Sequence, residues 1–177
     1  MTRPQRATGV GKTPGVFGIL TAADFHRKVV QDRDALLAQI DDAGLALNSA
    51  LSAYHLHEWV WAQALKARAP LEIRGAEVKD RDGFRAWLAS ACPHYGLIEE
   101  IVNGTKHCRP VVFGSSQVSG YGRGPYGIGP YGVPYLLIDL GDHLPGADRY
   151  LVASQVLDEA VRFWTDLLRE LGIIDPA

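Results

Sequence analysis

Residues 101–108 read I-V-N-G-T-K-H-C, and Asn103, Lys106 and His107 are the three among them that could act together on a substrate. An imidazole titrates near neutrality and can take or return a proton. An ammonium stabilises developing negative charge, and a carboxamide orients a polar group by donating and accepting hydrogen bonds. At about 100° per residue, Glu99, Glu100, Asn103, Lys106 and His107 share one side of a helix. Leu97, Ile98, Ile101, Val102, Thr105 and Cys108 form the other, apolar side. A polar face of this kind is ordinarily just solvated.

A second constellation lies upstream in Y-H-L-H-E-W-V-W, residues 54–61. Leu47, Leu51, Tyr54, Trp61 and Leu65 recur at steps of four and three, and Glu58 falls at the centre of that stripe. His55 flanks it beside Asn48, and His57 lies toward the other side. A carboxylate buried alone costs several kcal/mol, so Glu58 is expected to meet a partner, with Lys106 and His107 the candidates. Such a pair either bridges two helices structurally or lets Glu58 or His55 orient a catalytic His107. A metal site would draw on His55, Glu58, Glu100 and His107. Helix-bundle carboxylate sites use Glu-x-x-His, whereas Trp61 and Asn103 stand three residues after the two glutamates, so no metal is expected.

Positioning these groups requires helices. Thr21 with Asp24 forms a capping-box-like start, and Phe25, Val29, Leu36, Leu37 and Ile40 repeat at helical spacing until Gly44. A second helix is expected over 45–68, with Pro70 beyond its end. Pro93 should divide the next stretch into one piece with Phe84, Trp87, Leu88 and Ala91 on a face and a second piece carrying the 101–108 motif. Ser154 can cap a last helix with Leu157, Val161, Trp164, Leu168 and Leu171 in register, ended by Gly172. Strands are expected at 111–113 and 133–140, with a hairpin return through R-Y-L-V. The fold class is therefore mainly α: a four- or five-helix bundle over 21–177, with a small β-hairpin and Gly-Tyr-rich insertion at 111–153, preceded by a flexible arm, residues 1–20. G-V-G-K-T in the arm resembles a phosphate-binding loop, but Arg6 stands where that loop needs Gly and Pro14-Gly15 follow at once.

The insertion contains G-Y-G-R-G-P-Y-G-I-G-P-Y-G-V-P-Y, in which Tyr121, Tyr126 and Tyr131 recur every five residues. It is longer than the ordinary connection of about 4 to 6 residues, and its Gly and Pro density excludes a helix. The tyrosines could stack on bases, with Arg123 supplying a cation. They could instead be lid residues packed over the bundle, their glycines allowing close backbone approach, which a loop with a single Arg favours.

Composition narrows the remaining classes. The 177 residues suit one domain, and 47% hydrophobic with 21% charged residues is globular. A net charge of -2 gives no global attraction to polyanions, so any such partner must use a local patch. Two cysteines, Cys92 and Cys108, make neither a disulfide framework nor a structural zinc site. No apolar run approaches the roughly 18 residues of a membrane span, and a cytoplasmic protein without membrane partners or cofactors is expected.

Asn103-x-x-x-His107 at the end of a core helix resembles the HEPN superfamily, many members of which are metal-independent RNases of toxin–antitoxin and phage-defence systems. Their motif is an Arg, often followed by Asn, then a few residues and a His; here Val102 occupies the Arg position. The resemblance implies that His107 acts as general base or acid in attack of a ribose 2′-OH on the adjacent phosphate, that Asn103 orients the phosphate, and that Lys106 replaces the missing Arg. H-x-H-E-W and N-G-T-K-H together also resemble bacterial helical proteins that carry over no activity. The expected function is thus a HEPN-like bacterial protein that binds or cleaves RNA, as an endoribonuclease, through His107, Asn103 and Lys106 supported by Glu58 or His55. The alternative is a non-enzymatic binding or assembly module, of phage or mobile-element origin, using Tyr121, Arg123, Tyr126 and Tyr131 as contact surface. RNA, a protein or a second copy of the chain, as a homodimer, are the partners these readings imply.

Overall fold

The chain opens its first helix by satisfying amides that a helix start leaves unpaired. In a computed structural model, which describes residues 17–107, 113–119 and 123–176 (His107 by its backbone), Thr21 Oγ1 accepts from Asp24 N at 3.0 Å and the Asp24 carboxylate accepts from Thr21 N at 2.9 Å. The expected capping box is therefore present, and α1 runs Ala22–Ala38. Most of the N-terminal arm, including G-V-G-K-T, lies outside the described residues.

Asp42 caps α2, Ala43–Val60, which continues into a π-helical turn, Trp61–Leu65, where Lys66 N donates to Trp61 O at 2.9 Å. Gln63 on that turn accepts from Ala22 N at 2.7 Å and donates to Leu20 O at 2.8 Å, pinning the start of α1. Short side chains, Ser49, Ala50, Ser52 and Ala53, let α1, α4 and α5 approach α2 closely, so it is buried on several sides. Leu56 and Val60 are sealed there, each such side chain contributing about 1.5–3 kcal/mol.

Asp80 caps α3, Arg81–Ala91, and the expected break at Pro93 leads to α4, Tyr95–His107. The final helix, α5, spans Ala153–Glu170 and buries Val156, Leu157, Ala160, Val161, Phe163, Trp164, Leu167 and Leu168. Its cap differs from expectation: the cap residue is Val152, without a side-chain hydrogen bond, and Ser154 is buried in the first turn, because a strand runs straight into the helix. The other end is as expected, with Gly172 at φ 69° and Ile173 N donating to Leu168 O at 2.9 Å.

Two small antiparallel sheets complete the described structure. The hairpin β1, Leu71–Ile73, and β2, Ala76–Val78, turns through Arg74 and Gly75 at φ 48° and 82°, the positive pair a two-residue hairpin needs. Arg74 then clamps Glu170 at the end of α5 with bonds of 2.8 and 2.6 Å. The second sheet has the order β3–β4–β5, with β3 Gly114–Val118, β4 Tyr135–Asp139 and β5 Tyr150–Val152. The strands expected at 133–140 and in R-Y-L-V are thus present, whereas the one expected at 111–113 is not found at Phe113. Its successor, β3, begins one residue later, and 111–112 lie outside the described residues. The fold is mainly helical with two small sheets, and none of its described helices is long and apolar enough to cross a membrane.

Candidate functional site

The direction of α2 against α4 decides which sequence-predicted residues can meet. Tyr54 on α2 touches Tyr95 and Glu99 near the start of α4, while Ala43, Ala46 and Leu47 share a cavity with Gly104 and Thr105 near its end. The helices are therefore antiparallel. Glu58 stands level with the start of α4, and the twelve or so residues from there to Lys106 separate the two by roughly 16 Å along the axis.

Glu58 itself is not in the core. Its side chain is 55% exposed and its carboxylate lies 3.8 Å from Nδ1 of the half-buried His55 on the same helix. The buried group is His57, only 3% exposed. Its Nδ1 lies 2.6 Å from Tyr54 O, and because a carbonyl only accepts, Nδ1 carries the proton. Burial pushes the His57 pKa down, partly opposed by that hydrogen bond. The expectation of a buried Glu58 partnered by Lys106 or His107 is thereby corrected. A four–three stripe locates the buried centre of a helix covered on one side, whereas α2 is covered on several.

A carboxylate on α4 takes the place assigned to Glu58. Glu99 accepts from Tyr54 Oη at 3.0 Å, with Arg85 Nε of α3 at 3.5 Å from the same oxygen. Burial, then the bond to Glu99, raises the Tyr54 phenol to about 12. Tyr95 packs against Tyr54 and His57, and its buried hydroxyl has no hydrogen-bond partner among the described residues. This cluster joins three helices, and the only sign of it in the sequence is the polar residue Glu99 on a face otherwise read as solvated.

Along the rest of α4, Val102 is buried, Asn103 and Lys106 are exposed, and Gly104 and Thr105 line the cavity. His107 is the last helical residue, and its side chain lies outside the described set. No group of three His, Cys, Asp or Glu side chains converges on a metal position among the described residues.

The Gly-Tyr loop is described from Arg123, with Tyr121 outside. In Pro125-Tyr126-Gly127-Ile128, Ile128 N donates to Pro125 O at 3.2 Å and Gly127 has φ 79°, a type II arrangement with Gly where positive φ is required. Gly132 repeats that φ five residues later. Each unit therefore sets its tyrosine at a turn corner, and Tyr126 and Tyr131 project outward rather than packing as a lid. The packed ring is Tyr135, at the start of β4, whose hydroxyl donates to Ile128 O at 2.8 Å.

Gly124 and Gly129 lie against that ring: a Cβ on Gly129 would come 2.5 Å from Tyr135 Cζ. Gly129→Ala combines this clash with a left-handed φ of 77° and should destabilise the loop by about 2–3 kcal/mol. Faster hydrogen exchange of Ile128 and its neighbours would register the change, and unaltered exchange would contradict it.

The cavity measures about 550 Å³ and lies between α2, α4, α5 and the β3–β4 hairpin, with Ile138, Val156 and Leu157 as floor. Gln117 on β3 donates to the Asp41 carboxylate at 3.1 Å across its rim. Leu136 N donates to Ile40 O, so the β4 end from which the Gly-Tyr loop springs adjoins the α1–α2 turn.

Searches of protein-family models, curated proteins and solved structures found no match to the chain.

Proposed function

We propose that the chain binds single-stranded RNA through the Gly-Tyr loop and the exposed side of α4, and that the last turn of α4 cleaves it without metal. The observation that carries the reading is the outward placement of the Tyr126 and Tyr131 rings on the loop that holds Arg123; Arg123 and Lys106 each form no ion pair among the described residues. Cations that track a backbone and rings that stack on bases are the two components single-strand binding requires. Following the resemblance to HEPN nucleases, His107 removes the proton from a ribose 2′-OH, which attacks the adjacent phosphorus. The 5′-oxygen leaves with a proton, giving a 2′,3′-cyclic phosphate, while Asn103 orients the phosphate and Lys106 offsets its charge. His55 and Glu58 pair with each other on another part of α2, which argues against a supporting role.

Fluorescence anisotropy with a labelled oligouridylate tests the binding. Tyr126→Ala/Tyr131→Ala should weaken it by about tenfold or more, since stacking is worth about 1–3 kcal/mol per base. Lys106→Gln should flatten the dependence of log K on log salt by about 0.7. His107→Ala should abolish cleavage and keep binding. Absence of salt-dependent binding would overturn the reading in favour of a protein-binding or assembly module built on the same tyrosines. That second reading draws support from Arg123 being the sole cation in the described part of the loop.

A further inference from the structure

The cavity beside α4 has a chemistry that neither reading uses. Its walls are largely apolar, from Leu47, Ile101 and Phe113 to the more deeply buried Ile138, Val156 and Leu157, and its volume falls within the range of small-molecule sites, roughly 300–1,000 Å³. Its polar side chains are Asp41, Thr105, Ser115, Ser116 and Gln117, of which the three on β3 are exposed. Thr105 Oγ1 donates to Ile101 O at 2.9 Å, leaving its lone pairs available. Asp41 is the only charged side chain lining the cavity among the described residues, and it has a hydrogen bond from Gln117 but no ion pair. The uncapped amino end of α5 adds a partial positive charge at the floor, about half a unit and confined to the first turn, smaller than the formal charge of Asp41.

We propose that this cavity binds a small amphiphile with an apolar body and a cationic ammonium-type head, the body lying on Ile138, Val156 and Leu157 and the head donating to Asp41 at the rim. A carboxylate-headed chain of the same length meets like charge at that position, and a neutral alcohol forgoes the charge-assisted bond. The inference does not depend on RNA binding and survives its failure.

Isothermal titration calorimetry of the full chain at pH 7, with n-decylamine, 1-decanol and decanoate below their aggregation concentrations, tests it. Decylamine should bind with one-to-one stoichiometry, about tenfold or more tighter than either analogue, as a charge-assisted bond of about 1.5–3 kcal/mol implies. Asp41→Asn should remove that preference while leaving decanol affinity unchanged. Ala46→Leu, which puts a larger side chain into the cavity from a helical position, should weaken all three probes, with circular dichroism confirming the fold. Equal affinity for the three probes in the wild-type chain, tighter binding of decanoate, or persistence of the amine preference in Asp41→Asn would each overturn the proposal.

Discussion

Phe84→Ala is expected to cost about 3–5 kcal/mol of unfolding free energy, the usual penalty for emptying a buried aromatic site. Phe84 has no exposed surface and stands at the centre of a series of rings: it stacks on Trp61 at 6.2 Å and on Trp87 at 6.0 Å, and meets Trp164 edge-on at 6.5 Å. These partners come from the π-helical turn, α3 and α5, so one side chain ties three elements together. Removing it also loosens α3, which carries Arg85 toward Glu99. Urea unfolding monitored by tryptophan fluorescence gives the number, and Phe84→Leu should recover more than half of the loss by refilling the site. A loss below about 1 kcal/mol would mean that the surrounding rings collapse into the space.

Acidification from pH 7.5 to pH 5 is expected to destabilise the protein through two buried imidazoles. His57 donates to Tyr54 O, and His26, on α1, lies 2.9 Å by Nε2 from Thr165 Oγ1 on α5. The Thr165 hydroxyl donates its proton to Val161 O at 2.9 Å, so it accepts from His26, which is neutral with its proton on Nε2. Burial lowers both pKa values; Arg169, Arg33 and Arg27 lower that of His26 further, while Glu58 partly opposes the shift at His57.

A folded-state pKa below the unfolded value of 6.5 means that the unfolded chain binds more protons as pH falls through 6.5. The stability linked to the neutral rings is therefore complete above that pH and is lost below it, until the folded-state values are passed. The limiting slope is about 1.4 kcal/mol per pH unit for each histidine. Asp139, held down to about 2 chiefly by Arg149, does not titrate in this window. Unfolding free energies measured across the range should fall, and His26→Gln/His57→Gln should flatten the curve. A wild-type profile level from pH 7.5 to 5 would contradict the assignment of both rings as neutral.

The elements legible in the sequence were those signalled by local chemistry. Thr21 and Asp24 announced α1, Pro93 separated α3 from α4, Gly172 closed α5, and the apolar run before Asp139 gave β4. The elements missed lack such signals. β3, G-S-S-Q-V, buries only Val118, and β1 and β2 are three residues each, joined by an Arg-Gly turn within a charged stretch. At the site, the outward placement of Asn103 and Lys106 was readable from helical phase, because α4 has one clear apolar side. The exchange of Glu58 for His57 was not, because several helices cover α2 and no single stripe defines its interior. The bond from Tyr54 to Glu99 depends on antiparallel packing, which neither helix encodes alone. His107 and Tyr121 remain expectations of the sequence, their side chains lying outside the described residues.

Tyr135 also sets the length of the loop it supports. Gly124 and Gly129 open successive G-P-Y-G units, and both rest on that single ring. A third unit inserted between them and β4 would have no ring beneath it, and losing one would remove a backbone that lies against the Tyr135 ring. The first side chain of β4 thus acts as a ruler, holding the two described turns, and with them Tyr126 and Tyr131, at a separation set by the strand.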